Sequence, residues 1–261
     1  MSFKIAASDF DGTLAIEQEV SRENLLAIKS WRAAGNKFGI VTGRFYNMLT
    51  PLLEKFGLDV DFAICCNGAI IHDGAGKVIF ETGLPKKILP TLLSDSAVEK
   101  TFHFLFVAAD EVFCAGLKEN SWLLRARGRL NFPMRMIDAA QVETLPKINQ
   151  LSLIFATPEE AQLAADNLNR KYGDEIFAQK NTYSLDIVPA GISKASGVEN
   201  LLRLMNWRGA VYVIGDEAND LPMIKHFGGY TVTGAKDFVK REAVAIFDSV
   251  GAMLKNFLDK S

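Results

Sequence analysis

Two aspartates, Asp9 and Asp11, directly follow a short apolar segment over residues 3–8. In an extended chain, residues two apart point to the same side, so both carboxylates face one way and Phe10 faces the other. Two close carboxylates resist joint ionisation, and Mg²⁺, which prefers hard oxygen ligands, would resolve that conflict. One carboxylate then suits a nucleophile toward phosphorus and the other a general acid/base. The same Asp-Gly-Thr sequence is also ordinary turn chemistry, so this motif alone leaves both interpretations open.

Two further clusters contain residue types that hold phosphate. Thr42-Gly43-Arg44 offers a hydroxyl and an unhindered backbone N–H, which suit an anion at a helix start. Lys194 can balance a carboxylate cluster and hold a phosphate as a point charge. Each cluster has a simpler alternative, which is a helix cap at Thr42-Gly43 and a solvated side chain at Lys194.

The last cluster is GDEAND at residues 215–220, and it supplies more carboxylates. Asp216 is a candidate metal ligand, and Asp220 is a candidate either to bind the metal or to orient its neighbours from behind. The alternative is a helix N-cap at Asn219, ahead of the apolar residues 221–224. Both interpretations can hold together.

Short apolar runs alternate with helical patterns, and this alternation predicts a parallel α/β sheet. Strands are predicted over residues 3–8, 38–41, 62–65 and 211–214, and helices over 22–34, 45–56 and 197–205. Ser21 is the expected N-cap of the first helix and Gly35 closes it, whereas Pro51 should kink the second helix or delay its start. Ligands bind outside the carboxyl ends of parallel strands, so the clusters that follow three of these strands are expected to form one site.

The pattern changes from residue 69 onward, and it is mixed after residue 84. Hairpins are predicted at 69–80 and 101–115, a strand over 150–156, a helix that begins after Thr157, and a strand pair over 175–188. We therefore expect an α+β unit at residues 84–187, inserted into a domain formed by residues 1–83 and 188–261.

The composition excludes several classes of protein. The chain of 261 residues is 49% hydrophobic and 23% charged, which is typical of a globular protein and argues against disorder. A net charge of -2 argues against a nucleic-acid binder. The three cysteines form no disulfide framework or metal motif, and no segment resembles a secretory signal or a membrane span. A cytoplasmic protein, monomeric or weakly dimeric, is expected.

Taken together, the motifs resemble those of the haloacid dehalogenase (HAD) superfamily. DFDGT at residues 9–13 resembles its first motif, VTGR at 41–44 its second, Lys194 its third and GDEAND its fourth, in the same order and spacing. The insertion resembles the C2-type cap of the Cof-like type IIB sugar phosphatases, and ICCNGA at 64–69 adds local similarity. The resemblance implies a Rossmann-like parallel-sheet core with an inserted α+β cap.

The resemblance also implies a Mg²⁺-dependent phosphatase for a small phosphorylated metabolite, in particular a sugar phosphate. Asp9 would attack the phosphate monoester and form an aspartyl-phosphate, and Asp11 would protonate the leaving alcohol and then activate water. The metal would be held by Asp9, the Asp11 backbone carbonyl and Asp216, with Asp220 behind them. The substrate-binding set implied by the family comprises Thr42, Gly43, Arg44, Lys194 and Asn219, of which Lys194 also has a catalytic role.

The predicted cap contains an arginine-rich segment with Arg125, Arg127 and Arg129. One hypothesis is that these arginines meet a second anionic group of the substrate. The alternative is a solvated helix face, which is the more common role of such a charge run.

Three other functions compete with a phosphatase. A phosphomutase of the same superfamily and a non-catalytic regulator that binds a phosphorylated metabolite both fit the motifs. A receiver domain also combines acids, Thr and Lys on a parallel sheet, but it is shorter, has no inserted cap and has no acidic cluster after its Lys.

Overall fold

The computed structural model describes residues 3–109, 111–119, 121, 123 and 132–258. The arginines Arg125, Arg127 and Arg129 lie outside the described residues. The chain divides into two compact units. Unit 1 comprises Met1–Arg44, Leu52–Phe80 and Ser193–Ser261, and unit 2 comprises Phe45–Pro51 and Glu81–Ile192.

Unit 1 contains an eight-stranded sheet with a two-stranded hairpin beside it. In chain order its strands are β1 (Ile5–Ser8), β2 (Ala15–Ile16), β3 (Glu19–Val20), β4 (Lys37–Val41), β5 (Phe62–Cys65), β6 (Ile70–Asp73), β7 (Val78–Glu81), β14 (Val211–Gly215), β15 (Tyr230–Val232) and β16 (Ile246–Phe247), where β2 and β3 form the hairpin. The sheet order is β16-β15-β14-β1-β4-β5-β6-β7. The six strands from β16 to β5 run parallel, and β6 is antiparallel to β5. The predicted parallel α/β sheet is confirmed.

The strand order reverses at β1, which is the topological feature that matters for the site. Ile5 of β1 pairs with Lys37 of β4 on one side and with Val211 of β14 on the other. The strand that follows in this sheet, β4, therefore lies on one side of β1, and β14, which comes much later in the sequence, lies on the other side. Such a reversal opens a crevice at the carboxyl end of the central strands.

Helices cover both faces of this sheet. They are α1 (Arg22–Ala33), α2 (Tyr46–Phe56, which crosses into unit 2), α5 (Lys194–Leu204), α6 (Leu221–Phe227), α7 (Asp237–Lys240) and α8 (Val250–Leu258). Trp31 of α1 packs edge-on against Tyr212 of β14 on one face. On the other face, Val198 of α5 and Met223 of α6 pack into a buried cluster with Val213. Burial of apolar side chains on both faces explains the nearly continuous apolar runs of the strands.

The helix limits confirm some sequence predictions and correct others. Ser21 accepts a hydrogen bond from the backbone N–H of Asn24 and begins α1 as predicted. Pro51 lies inside α2, so it does not delay the helix start. The helix α5 begins at Lys194, three residues before the predicted position, because Ser193 and Ser196 cap it reciprocally. The N-cap of α6 is Asp220, so the alternative interpretation of Asn219 as that cap is wrong.

Unit 2 is an α+β arrangement around a six-stranded sheet. Its strands are β8 (Phe104–Val107), β9 (Val112–Ala115), β10 (Met134–Met136), β11 (Gln150–Ile154), β12 (Ile176–Asn181) and β13 (Ser184–Pro189), in the order β10-β9-β8-β11-β13-β12. Helices α3 (Ile88–Ser94) and α4 (Pro158–Tyr172) contribute Leu92 and Leu168 to a core with Phe106 and Leu151. The hairpin of β8 with β9, the strand β11, the pair β12–β13 and the Thr157-capped helix match the sequence predictions.

Among the residues that the structure describes, no helix combines the length and apolar character that a membrane crossing requires.

Candidate functional site

Three polar clusters follow the carboxyl ends of neighbouring parallel strands in unit 1. Asp9 and Asp11 come directly after β1, Thr42 and Arg44 after β4, and Asp216 after β14. These strands flank the reversal of strand order, so the fold brings together residues that are far apart in sequence. Because β14, β1 and β4 run parallel, these three clusters lie at the same edge of the sheet, as the sequence predicted.

Lys194 lies at the centre of the acidic cluster. Its Nζ donates to Oδ1 of Asp9 at 2.6 Å and to Oδ1 of Asp220 at 2.5 Å. The lysine side chain is 1% exposed, and the two carboxylates are similarly buried. A buried ammonium paired with two buried carboxylates is costly to assemble, which indicates a functional arrangement more than a stabilising one.

Both carboxylate oxygens of Asp220 accept hydrogen bonds. Its Oδ2 accepts hydrogen bonds from the backbone N–H groups of Asp216 and Glu217, at 2.9 and 3.0 Å, while Oδ1 accepts from Lys194. Asp220 therefore fixes both the loop that carries Asp216 and the ammonium of Lys194.

Asp216 lies against the loop that follows β1. Its Oδ1 accepts a hydrogen bond from the Thr13 hydroxyl at 2.5 Å. Gly12 has a positive φ of 84°, and a Cβ there would collide with the Asp216 carboxylate. The Asp-Gly-Thr sequence thus lets the backbone approach Asp216 closely while the threonine orients it.

Burial and mutual repulsion raise the pKa values of two of these acids. Burial raises the pKa of Asp9 well above 3.8, and the charges of Asp220 and Asp216 add to this effect against the opposing charge of Lys194. Burial, with help from Asp220, raises the pKa of Asp216 to about 6 even though the Thr13 hydroxyl opposes the shift. Burial disfavours the ammonium of Lys194, but the charges of Asp220 and Asp9 outweigh it and raise its pKa.

These acids form a candidate cation site. Carboxylate oxygens of Asp9, Asp216 and Asp220 all lie within 4.8 Å of one another. One lysine cannot neutralise three carboxylates, and the charges of the neighbouring acids add to burial in raising the pKa values of Asp9 and Asp216. A hard divalent cation such as Mg²⁺ fits this donor set.

Asp11 lies apart from that group. Its Oδ2 and Oδ1 accept hydrogen bonds from Nε and Nη2 of Arg44, at 2.6 and 2.7 Å. The Asp11 side chain is 48% exposed, whereas that of Asp9 is 7% exposed. The two aspartates of one motif therefore have different surroundings, one buried against a lysine and the other held at the surface by an arginine.

The loop after β4 and the turn after β5 complete the site. Thr42 is buried, and its hydroxyl accepts a hydrogen bond from the backbone N–H of Arg44 at 3.1 Å. Gly43 lies between them with partial exposure. Asn219 donates through Nδ2 to Oδ1 of Asn67 at 3.1 Å.

Sequence reasoning did not give Asn67 a role. It lies in the ICCNGA stretch that carried part of the family resemblance, and an Asn-Gly pair at a strand end is a turn signal. Nothing in the sequence indicated that its side chain contacts Asn219.

Buried acids and a lysine lie at the switch point of a doubly wound parallel sheet. This arrangement is typical of α/β enzymes that bind phosphoryl groups or metal ions. The sequence model of the haloacid dehalogenase-like hydrolases matches residues 6–251, and the chain belongs to this family. The expected HAD resemblance and the expectation of a HAD-type hydrolase are thereby confirmed.

Similar proteins act on different compounds, according to their names. The chain is 25% identical to a pyridoxal phosphate phosphatase of Escherichia coli, over 99% of this chain and 98% of that protein. It is 24% identical to a 5-amino-6-(5-phospho-D-ribitylamino)uracil phosphatase of the same organism, over 87% and 84%. The structure of a HAD subclass IIB sugar phosphatase superposes with a TM-score of 0.79 at 22% identity, over 97% and 98% of the two chains. The last similarity establishes the shared fold.

Proposed function

We propose that the protein is a Mg²⁺-dependent phosphatase that hydrolyses a small phosphorylated metabolite, with a sugar phosphate as the first candidate, through an aspartyl-phosphate on Asp9. The observation that carries this proposal is the buried Asp9 carboxylate, held 2.6 Å from the Lys194 ammonium and grouped with two further acids. The named phosphatases among the similar proteins support the reaction class.

In the first step, an oxygen of Asp9 attacks phosphorus and the bond from phosphorus to the leaving oxygen breaks. Asp11 gives its proton to that oxygen, and the alcohol leaves. In the second step, Asp11 takes a proton from water while the water oxygen attacks phosphorus. The bond to Asp9 then breaks and inorganic phosphate departs. The partial exposure of Asp11 suits a group that exchanges protons with substrate and water.

The remaining site residues hold the phosphoryl group. Lys194, the Thr42 hydroxyl, the Gly43 backbone, Asn219 and Arg44 are assigned to its oxygens. Asp9, the Asp11 backbone carbonyl and Asp216 would hold Mg²⁺, and Asp220 would orient Lys194 and the Asp216 loop from behind. Bound Mg²⁺ would supply positive charge that offsets both the carboxylates and the phosphoryl oxygens.

The domain assignment is part of this proposal. Residues 1–83 and 188–261 form the catalytic core, and residues 84–187 form the cap that selects the substrate. The division of the chain into two compact units supports an inserted domain, although the segment Phe45–Pro51 groups with unit 2.

We also place the enzyme in the cytoplasm as a monomer or weak homodimer that acts on a small molecule and binds neither nucleic acid nor membranes. The net charge of -2 supports the absence of a nucleic-acid partner. Its three cysteines are buried free thiols, which supports a reducing compartment.

The test is hydrolysis of 4-nitrophenyl phosphate with Mg²⁺ and with a chelator, for the wild type, Asp9→Asn and the control Asp237→Asn. We expect turnover only with Mg²⁺, a loss of at least about a thousandfold in Asp9→Asn, and no change in the control, whose carboxylate is exposed. Turnover that survives Asp9→Asn would contradict the proposal. A wild type that binds phosphate without turnover would favour a mutase or a binding role.

A further inference from the structure

The turn after β5 contacts the proposed phosphate site through one buried side chain. Asn67 is fully buried, and its Oδ1 accepts the hydrogen bond from Nδ2 of Asn219, itself 5% exposed. The two residues are far apart in sequence, so the fold builds this contact specifically.

The backbone of this turn is held in a sparsely populated conformation. Cys66 and Asn67 have positive φ values of 51° and 52°, although neither is glycine. Among non-glycine residues, Asn adopts this left-handed region most readily, whereas for Cys it is uncommon. Surrounding contacts must therefore maintain the turn.

Those contacts lead to the other clusters of the site. The backbone N–H of Asn67 donates to the carbonyl of Thr42 at 3.0 Å, and that of Cys66 donates to the carbonyl of Arg44 at 2.9 Å. Gly68 lies so close to the Ser193 carbonyl, beside Lys194, that a Cβ there would collide with it. One three-residue turn thus touches the loop after β4, the start of α5 and Asn219.

An amide that binds phosphate must present its N–H group and not its carbonyl, because phosphate oxygens only accept hydrogen bonds. The Asn219 amide nitrogen carries two hydrogens. Asn67 accepts one of them, which fixes the orientation of the amide and leaves the second hydrogen for a phosphoryl oxygen.

We infer that Asn67 is a positioning residue that fixes the Asn219 amide with its N–H toward the phosphoryl group, an inference that rests on the proposed function. Asn67 acts through Asn219 and needs no contact with substrate. In its left-handed conformation, Asn67 accepts from Asn219 through its side chain and donates to the Thr42 carbonyl through its backbone.

The test is a double-mutant cycle with Asn67→Gly, Asn219→Ala and the double variant. Glycine keeps the left-handed backbone and removes the side chain that accepts the hydrogen bond from Asn219. We expect each single substitution to raise the KM for 4-nitrophenyl phosphate and the inhibition constant of inorganic phosphate about tenfold. In the Asn219→Ala background, Asn67→Gly should then change either constant by less than about twofold.

The matched control is Asn206→Gly, because Asn206 also has a positive φ, of 50°, and is exposed. It should leave both constants unchanged. A second variant, Asn67→Asp, keeps an acceptor at this position, so Asn219→Ala should still weaken phosphate binding in that background. If Asn67→Gly lowers the midpoint of thermal unfolding, the comparison in the Asn67→Asp background decides between a positioning role and a loss of stability.

Fully additive losses in the cycle, or unchanged constants in Asn67→Gly, would overturn the inference about Asn67. If the wild type does turn over the aryl phosphate and loses this activity in Asp9→Asn, the proposed function stands despite that result. A wild type that neither hydrolyses aryl phosphate nor binds inorganic phosphate would overturn both.

Discussion

The Arg44 guanidinium binds both oxygens of Asp11, and this geometry determines how Asp11 can act. A paired arginine and carboxylate at the surface adds little to the free energy of unfolding, because water screens the charges. Two parallel N–H···O bonds nevertheless fix the plane of the carboxylate, which one bond would leave free to rotate. We therefore expect Arg44 to matter more for proton transfer than for stability.

Arg44→Lys should lower kcat more for an alkyl phosphate than for 4-nitrophenyl phosphate. Lysine keeps the charge but cannot bind both oxygens, so Asp11 would lose its orientation. An alkoxide leaving group needs a proton from Asp11, whereas nitrophenolate leaves without one, and we expect losses of about a hundredfold and about threefold.

The measurement is the steady-state kinetics of both substrates, with Arg203→Lys as a control on the exposed face of α5. Equal losses of kcat with both leaving groups would show that Arg44 acts only through its assigned contact with the phosphoryl group and not through Asp11.

Between elements, side-chain amides and carboxylates fix strands to helices. In unit 2, Asn169 of α4 donates to the carbonyl of Ala178 and accepts from its N–H, which ties the helix to the edge strand β12. Gln179, the next residue of β12, is 7% exposed, and neither atom of its amide has a hydrogen-bond partner among the described residues. The two amides on one strand should therefore have opposite effects on stability.

Gln179→Leu should increase the free energy of unfolding by about 1 kcal/mol, because a buried amide without partners is unfavourable. Asn169→Leu should decrease it by about 2 kcal/mol, because the backbone groups of Ala178 would lose their partners. Urea denaturation of both variants measures this difference. Destabilisation in both variants would show that Gln179 has a partner in solution, such as a bound water.

In unit 1, Asp61 joins the end of α1 to the start of β4. It accepts hydrogen bonds from the side chains of Arg32 and Lys37 and from the backbone N–H of Phe38, at 2.9, 3.2 and 3.0 Å. Burial opposes the charge of Asp61, but the hydrogen bonds from Arg32 and Phe38 and the two cationic charges outweigh burial and lower its pKa below 3.8.

Asp61→Asn should lower the free energy of unfolding by about 2 kcal/mol at neutral pH. Because the pKa of Asp61 is lower in the folded chain than in the unfolded chain, its stabilising effect is complete above 3.8 and disappears as the pH falls through the folded value. The difference between wild type and variant should shrink on acidification. Urea denaturation across this range tests the prediction, and a difference that is constant with pH would contradict it.

Sequence patterns predicted the helices and strands better than the side-chain contacts between them. The apolar run before Asp9 and the caps at Ser21 and Thr157 are local signals, and the structure confirms the elements that they predict. The pairing of Arg44 with Asp11 depends on the distance between adjacent strands, which no local pattern specifies. The role of Asn67 depends on two left-handed residues in succession, and propensity alone does not predict such a turn.

For the whole molecule, the acidic cluster predicts that a divalent cation stabilises the folded state. A ligand that binds only the folded chain adds about 2.7 kcal/mol at one hundred times its dissociation constant. Mg²⁺ should therefore raise the midpoint of thermal unfolding, and a chelator should reverse the effect. This readout requires no substrate.

Asp216→Asn should remove most of this Mg²⁺-dependent shift, because it takes away one of the three clustered carboxylates. Asp237→Asn, with its exposed side chain, should keep the shift. Thermal unfolding in Mg²⁺ and in chelator measures both variants, and an undiminished shift in Asp216→Asn would place the cation elsewhere.

The central position of β1 also determines when the protein can become active during its synthesis. The backbone N–H of Asp9 donates to the carbonyl of Ile214, and Ile5 donates to Ala210, so one edge of β1 pairs only with residues near the end of the sequence. While the ribosome is still making unit 2, that edge of β1 has no β14 to pair with. Nascent chains stalled before residue 210 should therefore be dependent on chaperones and inactive, since such long-range pairing forms late.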